Sequence, residues 1–189
     1  MQLESSFEVP APPEAVWSLL NDVPRIVPCM PGTELTETVG ADTWKATMRV
    51  KLGPIALQFL VELRRDQSDV EARRTLLHAT GRELKGRGGA RAMIESTLLE
   101  ANGGTRVSIV TDLTLQGQVA QYGRGVVGAV AEQLTGEFAL CLARQLETPE
   151  PGETIEAPEP RPVSGLRLLW LALRRRFGPR GPDAHDHKV

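Results

Sequence analysis

Between Trp44 and Lys51 the chain alternates strictly, with Trp44, Ala46, Met48 and Val50 apolar and Lys45, Thr47, Arg49 and Lys51 polar. A period of two is what a strand with one buried face requires. Gly53-Pro54 interrupts the pattern. Leu57, Phe59, Val61 and Leu63 then resume it against Gln58, Leu60, Glu62 and Arg64, which predicts a hairpin. Further strands are expected at about 71–84, 89–100 and 104–116, the last two joined by the tight-turn signal Asn102-Gly103-Gly104. Val107, Ile109, Thr111, Leu113 and Leu115 share one side of the final strand. In 71–84 the adjacent Leu76 and Leu77 leave either face able to point inward.

Helical spacing brackets these strands. A first strand ends at Val9-Pro10-Ala11-Pro12-Pro13-Glu14, where proline suits a first helical turn and Glu14 suits its positive dipole end, so a helix is predicted through Leu20. Pro24, Pro28 and Pro31 then permit only a short helical turn, because proline disfavours helix in the residue before it. From 119 to 147, Val119, Tyr122, Val126, Val130, Leu134, Phe138 and Cys141 recur at three or four, with Arg124 and Glu132 roughly opposite. Strand, short helices, antiparallel strands and one long closing helix make an α+β plan with a single curved sheet, able to leave a cavity under the helix.

The expected divisions are a domain at 1–147, a Pro/Glu-rich linker at 148–162, an amphipathic basic helix at 163–178 and a disordered terminal tail at 179–189. Charge sharpens this division more than the net value of −2 does. Residues 1–147 hold 15 Lys+Arg against 18 Asp+Glu, 148–160 carry only acids, and 161–181 carry only arginines. Cys29 and Cys141 lie far apart without CxxC or Cys/His spacing, so neither zinc nor a disulfide is expected, and a reducing cytoplasm fits. Gln2 to Phe7 alternate and lack a basic segment followed by an apolar run, which argues against a signal peptide.

No catalytic constellation is expected. His78 is the sole histidine before the tail; a general base needs a positioned partner and spacing names none, so His78 reads as structural. His185 and His187, with Asp183 and Asp186, offer at most adventitious metal binding, and no metal site is assigned. Gly86-Arg87-Gly88-Gly89 precedes a strand and not a helix, so it reads as a hairpin turn rather than a phosphate loop. Gly123, Gly125, Gly128 and Gly136 each cost a helix about 1 kcal/mol relative to alanine. Two accounts fit them: tight packing of helix on sheet, or room for a ligand. In the second, Tyr122, Gly125 and Val126 roof a cavity walled by Met48, Leu57, Phe59, Val61 and Phe138, although each could equally be plain core.

The tail carries a separate signal. Beyond the prolines and glutamates of 148–162, Ser164 can cap a helix in which Leu166, Leu169, Trp170, Leu173 and Phe177 share a face and Arg174, Arg175 and Arg176 follow. Residues 164–177 reach only about 21 Å as helix, short of the roughly 30 Å hydrocarbon core, so they cannot span a bilayer but can lie in its interface. Docking in a partner's groove fits the same pattern. An apolar helix on an acidic body is not a nucleic-acid footprint.

Together, Val9-Pro10-Ala11-Pro12 with Trp17, Asp22-Val23-Pro24 to Cys29-Met30-Pro31-Gly32, Val50-Lys51-Leu52-Gly53-Pro54-Ile55, and Gln121-Tyr122-Gly123-Arg124-Gly125-Val126-Val127 resemble the carbon monoxide dehydrogenase G-subunit family, over about residues 1–147. That family belongs with the START-like, SRPBCC or helix-grip domains. The resemblance implies a curved antiparallel sheet gripping a long helix around an apolar cavity. It also implies a non-enzymatic accessory of a molybdenum hydroxylase, without a catalytic cofactor of its own. Such an accessory recruits the enzyme to the inner face of the cell membrane or carries a respiratory quinone of menaquinone type to it. A pure recruitment adaptor or maturation factor with no cargo is the alternative. A cyclase or dehydratase on this fold would need acid–base groups that spacing does not supply.

Overall fold

The protein is described by a computed structural model covering residues 1–52 and 55–147. The chain divides into two units, Met1–Pro149 and Glu150–Val189, and the described residues belong to the first. The predicted tail helix, with Leu166, Leu169, Trp170, Leu173, Arg174, Arg175, Arg176 and Phe177, lies outside the described residues, as does the Gly53-Pro54 turn.

Among the described residues, seven strands form one antiparallel sheet: β1 (Gln2–Val9), β2 (Thr33–Thr38), β3 (Thr43–Leu52), β4 (Ile55–Asp69), β5 (Arg74–Glu83), β6 (Gly88–Ala101) and β7 (Gly104–Gly117). Their spatial order is β1-β7-β6-β5-β4-β3-β2, so every pair but β1–β7 joins sequence neighbours, as short hairpin connections dictate. Between β1 and β2 stand helix α1 (Pro13–Asn21), helix α2 (Val23–Ile26) and a 3-10 turn (Val27–Cys29). Each of these three has a proline in its first two positions, supplying the fixed φ of a first helical turn. After β7 a 3-10 turn (Gln118–Gln121) leads into α3 (Arg124–Glu147).

The predicted strand at 71–84 begins later, because a turn at Val70–Arg73 precedes it, with Arg73 at φ 44°. Register decides its face: Thr75, Leu77, Ala79 and Gly81 point inward, and Leu76 and His78 point out. At the β5–β6 turn, Gly88 has φ 130°, and a Cβ there would overlap the Gln116 carbonyl, so only glycine lets β6 start against β7.

The core is split. Val9, Val16, Leu19, Cys29, Leu98, Val107, Phe138 and Leu142 form one cluster, where α1 and the C-terminal half of α3 meet β6, β7 and β1. Leu57, Phe59 and Val119 form a second at the other end, with Tyr122 and Val130 against it. Helix α3 runs along β1, with Phe7 and Phe138 edge-to-face at 6.1 Å and Arg124 donating to the Gln2 carbonyl at 3.0 Å.

A disulfide joins Cys29 to Cys141, with Cα atoms 5.3 Å apart. The expectation of two unpaired cysteines is therefore wrong. Sequence separation said nothing about proximity, since the fold brings the turn after α2 onto the last third of α3. With it goes the argument from cysteine usage for a reducing compartment. Gln145, one turn further along α3, donates to the Arg25 carbonyl at 3.1 Å and fixes the same contact.

Candidate functional site

Between the two core clusters lies a cavity of about 540 Å³. It exists because large side chains are missing where the sheet faces the helix. At the centre of the sheet Ala79 pairs with Ala92 and Gly81 with Ala90, so two adjacent strands present a floor of methyl groups and backbone. Leucine or valine at these positions would fill much of the space. Above the floor the helix offers Gly128 and Ala131, again small. The side walls are larger and apolar: Met48, Val50, Leu57, Phe59, Val61 and Leu63 from β3 and β4, and Ile109, Leu113 and Leu115 from β7. Val23, Ile26, Val27 and Met30 close one flank from the α2 segment.

Of the residues expected around a ligand, Met48, Leu57, Phe59, Val61 and Phe138 line this cavity. Tyr122, Gly125 and Val126 do not. Tyr122 packs on the Leu57–Phe59–Val119 cluster, while Gly125 and Val126 are exposed, Val126 at 44%. The reason is helical phase. The helix starts at Arg124 after a separate 3-10 turn, so Tyr122 is not on it, and the four-residue steps Val126, Val130, Leu134, Phe138 rotate about 40° each, which leaves Val126 at the outer end of the series while the other three stay inward. The inward face then runs Val127, Gly128, Val130, Ala131, Leu134, Thr135 and Phe138, and Val126 stands about 100° away from Val127. The glycines are also reassigned. A Cβ at Gly123, Gly125, Gly128 or Gly136 would meet nothing within 4 Å, so close packing on the sheet does not require them; only Gly128 borders the cavity.

Sequence reasoning missed the alanine floor and the polar positions in the wall. Their signal was present: Ala90, Ala92, Ile94, Ser96 and Leu98 alternate at period two, with the small residues side by side. Among the described residues, eight polar ones reach the cavity, namely Glu4, Ser5, Thr33, Thr75, Ser96, Thr111, Glu132 and Thr135, and no Lys, Arg or His lines it. The Thr33 hydroxyl is buried without a hydrogen-bond partner.

Two polar clusters hold the frame. Arg65 donates to the Asn21 carbonyl at 2.9 Å and to Asp42 at 2.8 Å, and its guanidinium lies 5.2 Å from the Trp44 ring, tying the end of α1 to β4. At the β5–β6 turn, buried Glu83 accepts backbone N–H bonds from Lys85 (2.8 Å) and Arg87 (3.0 Å) and pairs with the Arg87 guanidinium at 2.9 Å. Arg87 above all, with the two backbone donors, holds the Glu83 carboxyl down to about 2. Arg87 also donates to the Ala56 carbonyl at 2.9 Å, fastening the β5–β6 turn to the start of β4. His78 stands on the outer face with Nδ1 3.5 Å from Asp66, remote from the cavity lining. Among the described residues no group of three or more His, Cys, Asp or Glu is placed to hold a metal. By length and composition α3 is apolar enough to cross a membrane, although here Val127, Phe138 and Leu142 are buried within the domain.

A sheet wrapped around a long C-terminal helix with a cavity between them defines the helix-grip class. Solved structures agree on the fold. A conserved protein from Geobacillus kaustophilus superposes with a TM-score of 0.69 at 22% identity, over 78% of this chain and 95% of its own. The ZhuI aromatase/cyclase from Streptomyces sp. R1128 gives 0.56 at 15% identity, over 78% and 93%. Ara h 8.0201 gives 0.53 at 17%, over 78% and 97%. No curated protein matches in sequence. The family model of the carbon monoxide dehydrogenase G subunit (CoxG) matches residues 5–147, and the chain belongs to that family.

Proposed function

We propose that the protein is a non-enzymatic accessory of a carbon monoxide dehydrogenase-type molybdenum hydroxylase, that it carries a respiratory quinone of menaquinone type in its cavity, and that it links the enzyme to the membrane. Family membership supports the accessory role and the partner. The observation that carries the cargo is the cavity itself. A space of about 540 Å³ is walled mostly by aliphatic side chains and floored by paired alanines, and it spans the middle of what would otherwise be a continuous core. Such a space lacks the packing contacts a filled core would have, and an apolar molecule restores them. A quinone is a two-electron, two-proton acceptor whose isoprenoid tail needs shelter from water, which this lining supplies. The arginine-bearing segment at 164–177 supports the membrane link, since its apolar residues and cations match an anionic lipid interface.

Reconstitution tests this reading. The purified oxidoreductase, its substrate and quinone-loaded vesicles are combined with or without this protein, and quinone reduction is followed. The full chain is expected to accelerate reduction, and a chain ending at 147 to do so poorly. Equal rates with and without the protein would contradict the carrier role.

A further inference from the structure

The cavity wall is apolar but crossed by one belt of hydroxyls. Thr75 on β5 is the direct cross-strand partner of Ser96 on β6; Ser96 in turn faces Ile109 on β7, whose partner on β1 is Ser5. Thr111 is the next inward position on β7, so it stands diagonal to both Ser96 and Ser5. From the helix side, Thr135 Oγ1 comes within 3.4 Å of Ser5 Oγ. All five line the cavity.

Their hydrogen bonding is incomplete. Thr75 Oγ1 reaches Asn21 Oδ1 at 3.3 Å, an oxygen that already accepts from Ser68 Oγ at 3.1 Å and Arg65 at 3.3 Å. Ser96 and Thr111 line the cavity and have no side-chain hydrogen-bond partner among the described residues. Valine would occupy the volume of threonine, and alanine nearly that of serine, without leaving a hydroxyl to be satisfied. The hydrogen bonds of this belt are therefore available to whatever enters. The charge of the lining restricts what that is. Among the described residues Glu4 and Glu132 are its only charged members, so a carboxylate or phosphate head would lose its hydration and gain no counter-charge.

We propose that Ser96 and Thr111, flanked by Thr75 and the Ser5–Thr135 pair, form a head-group subsite that selects neutral apolar molecules bearing a carbonyl or hydroxyl oxygen. From Ser96 to Ala90 the inward face of β6 runs about 20 Å over the alanine floor. The oxygen-bearing head sits at the belt and the hydrocarbon lies along this floor toward Leu57, Phe59 and Val119. The assignment deepens the ligand-binding reading above and rests on it.

Equilibrium dialysis of the full chain against three probes of one skeleton tests it: a 2-methyl-1,4-naphthoquinone with one prenyl tail, the corresponding naphthalene hydrocarbon, and the hydrocarbon bearing a ring carboxylate. The quinone is expected to bind roughly tenfold tighter than either of the others. In the Ser96→Ala/Thr111→Val double variant that advantage should vanish while hydrocarbon affinity is kept, which also reports an intact fold. Ser96→Ala alone replaces the double variant if hydrocarbon binding is lost. Equal binding of all three probes, tighter binding of the carboxylate, or an undiminished quinone preference in the variant overturns the subsite but leaves the cavity standing. Failure of all three to bind overturns the ligand-binding reading and the subsite with it.

Discussion

Ala79 on β5 and Ala92 on β6 are direct cross-strand partners, and both line the cavity. At the centre of a sheet covered by a helix, this pair would ordinarily be two large aliphatic residues interlocked with the helix. Two methyl groups there leave open volume in place of core. Ala92→Phe is expected to fill it, because the added ring projects into space and not into a neighbour. Binding of any apolar probe should fall at least about tenfold, while circular dichroism stays that of the parent. Full retention of probe binding in a folded Ala92→Phe protein would place the ligand elsewhere.

The Cys29–Cys141 bond spans a sequence separation of 112 residues and pins α3 to the turn after α2. Cross-linking so long a loop restricts the unfolded chain, and its loss is expected to lower stability by about 2–5 kcal/mol. The urea midpoint should drop on adding reductant, and a Cys29→Ser/Cys141→Ser variant should match the reduced protein and no longer respond. A midpoint indifferent to reductant would mean that Gln145 and the buried cluster around Leu142 hold the helix unaided.

Gly136 sits on an exposed turn of α3, and a Cβ there meets nothing within 4 Å. Alanine restores helix propensity without a clash, so Gly136→Ala is expected to raise stability by about 0.5–1 kcal/mol. Thermal unfolding checks this. A lower melting temperature would show that the glycine serves a contact beyond the described residues.

How much of this was readable in advance depended on whether local pattern sufficed. The inward faces of β3, β4 and β7 alternate so regularly that Met48, Leu57, Phe59 and Ile109 could be placed on one side from the sequence alone, and all four line the cavity. On the long helix the same logic held for Val130, Leu134 and Phe138 and failed at its start, since the helix begins only at Arg124, which leaves Tyr122 in the preceding connection and Gly125 and Val126 on the exposed first turn. In 71–84, Leu76 and Leu77 made the face undecidable until pairing with β4 and β6 set it, and with it the position of the floor. The disulfide was invisible for a deeper reason: a contact between residues so distant in sequence follows from topology, which local periodicity does not carry.

Glu83 makes a pH prediction. Its carboxyl is held at about 2, below the ordinary 4.5, chiefly by Arg87. A carboxyl depressed on folding contributes stability that is present above its unfolded value and is lost as pH falls toward the folded one. Glu83→Gln should therefore be less stable than the parent at neutral pH, with the gap closing between pH 4.5 and about 2. Chemical denaturation across that range measures it; a gap independent of pH would mean that packing, and not charge, anchors the turn.

That the cavity holds an apolar cargo is tested most directly by what the protein retains when it is isolated from its cell. The full chain, purified without detergent from its native host, is extracted with organic solvent and the extract is analysed by mass spectrometry and ultraviolet absorbance. A single quinone released in near-stoichiometric amount, and absent from Ala92→Phe, is the predicted result. Protein that yields no apolar compound, or the same trace from parent and variant, would contradict it.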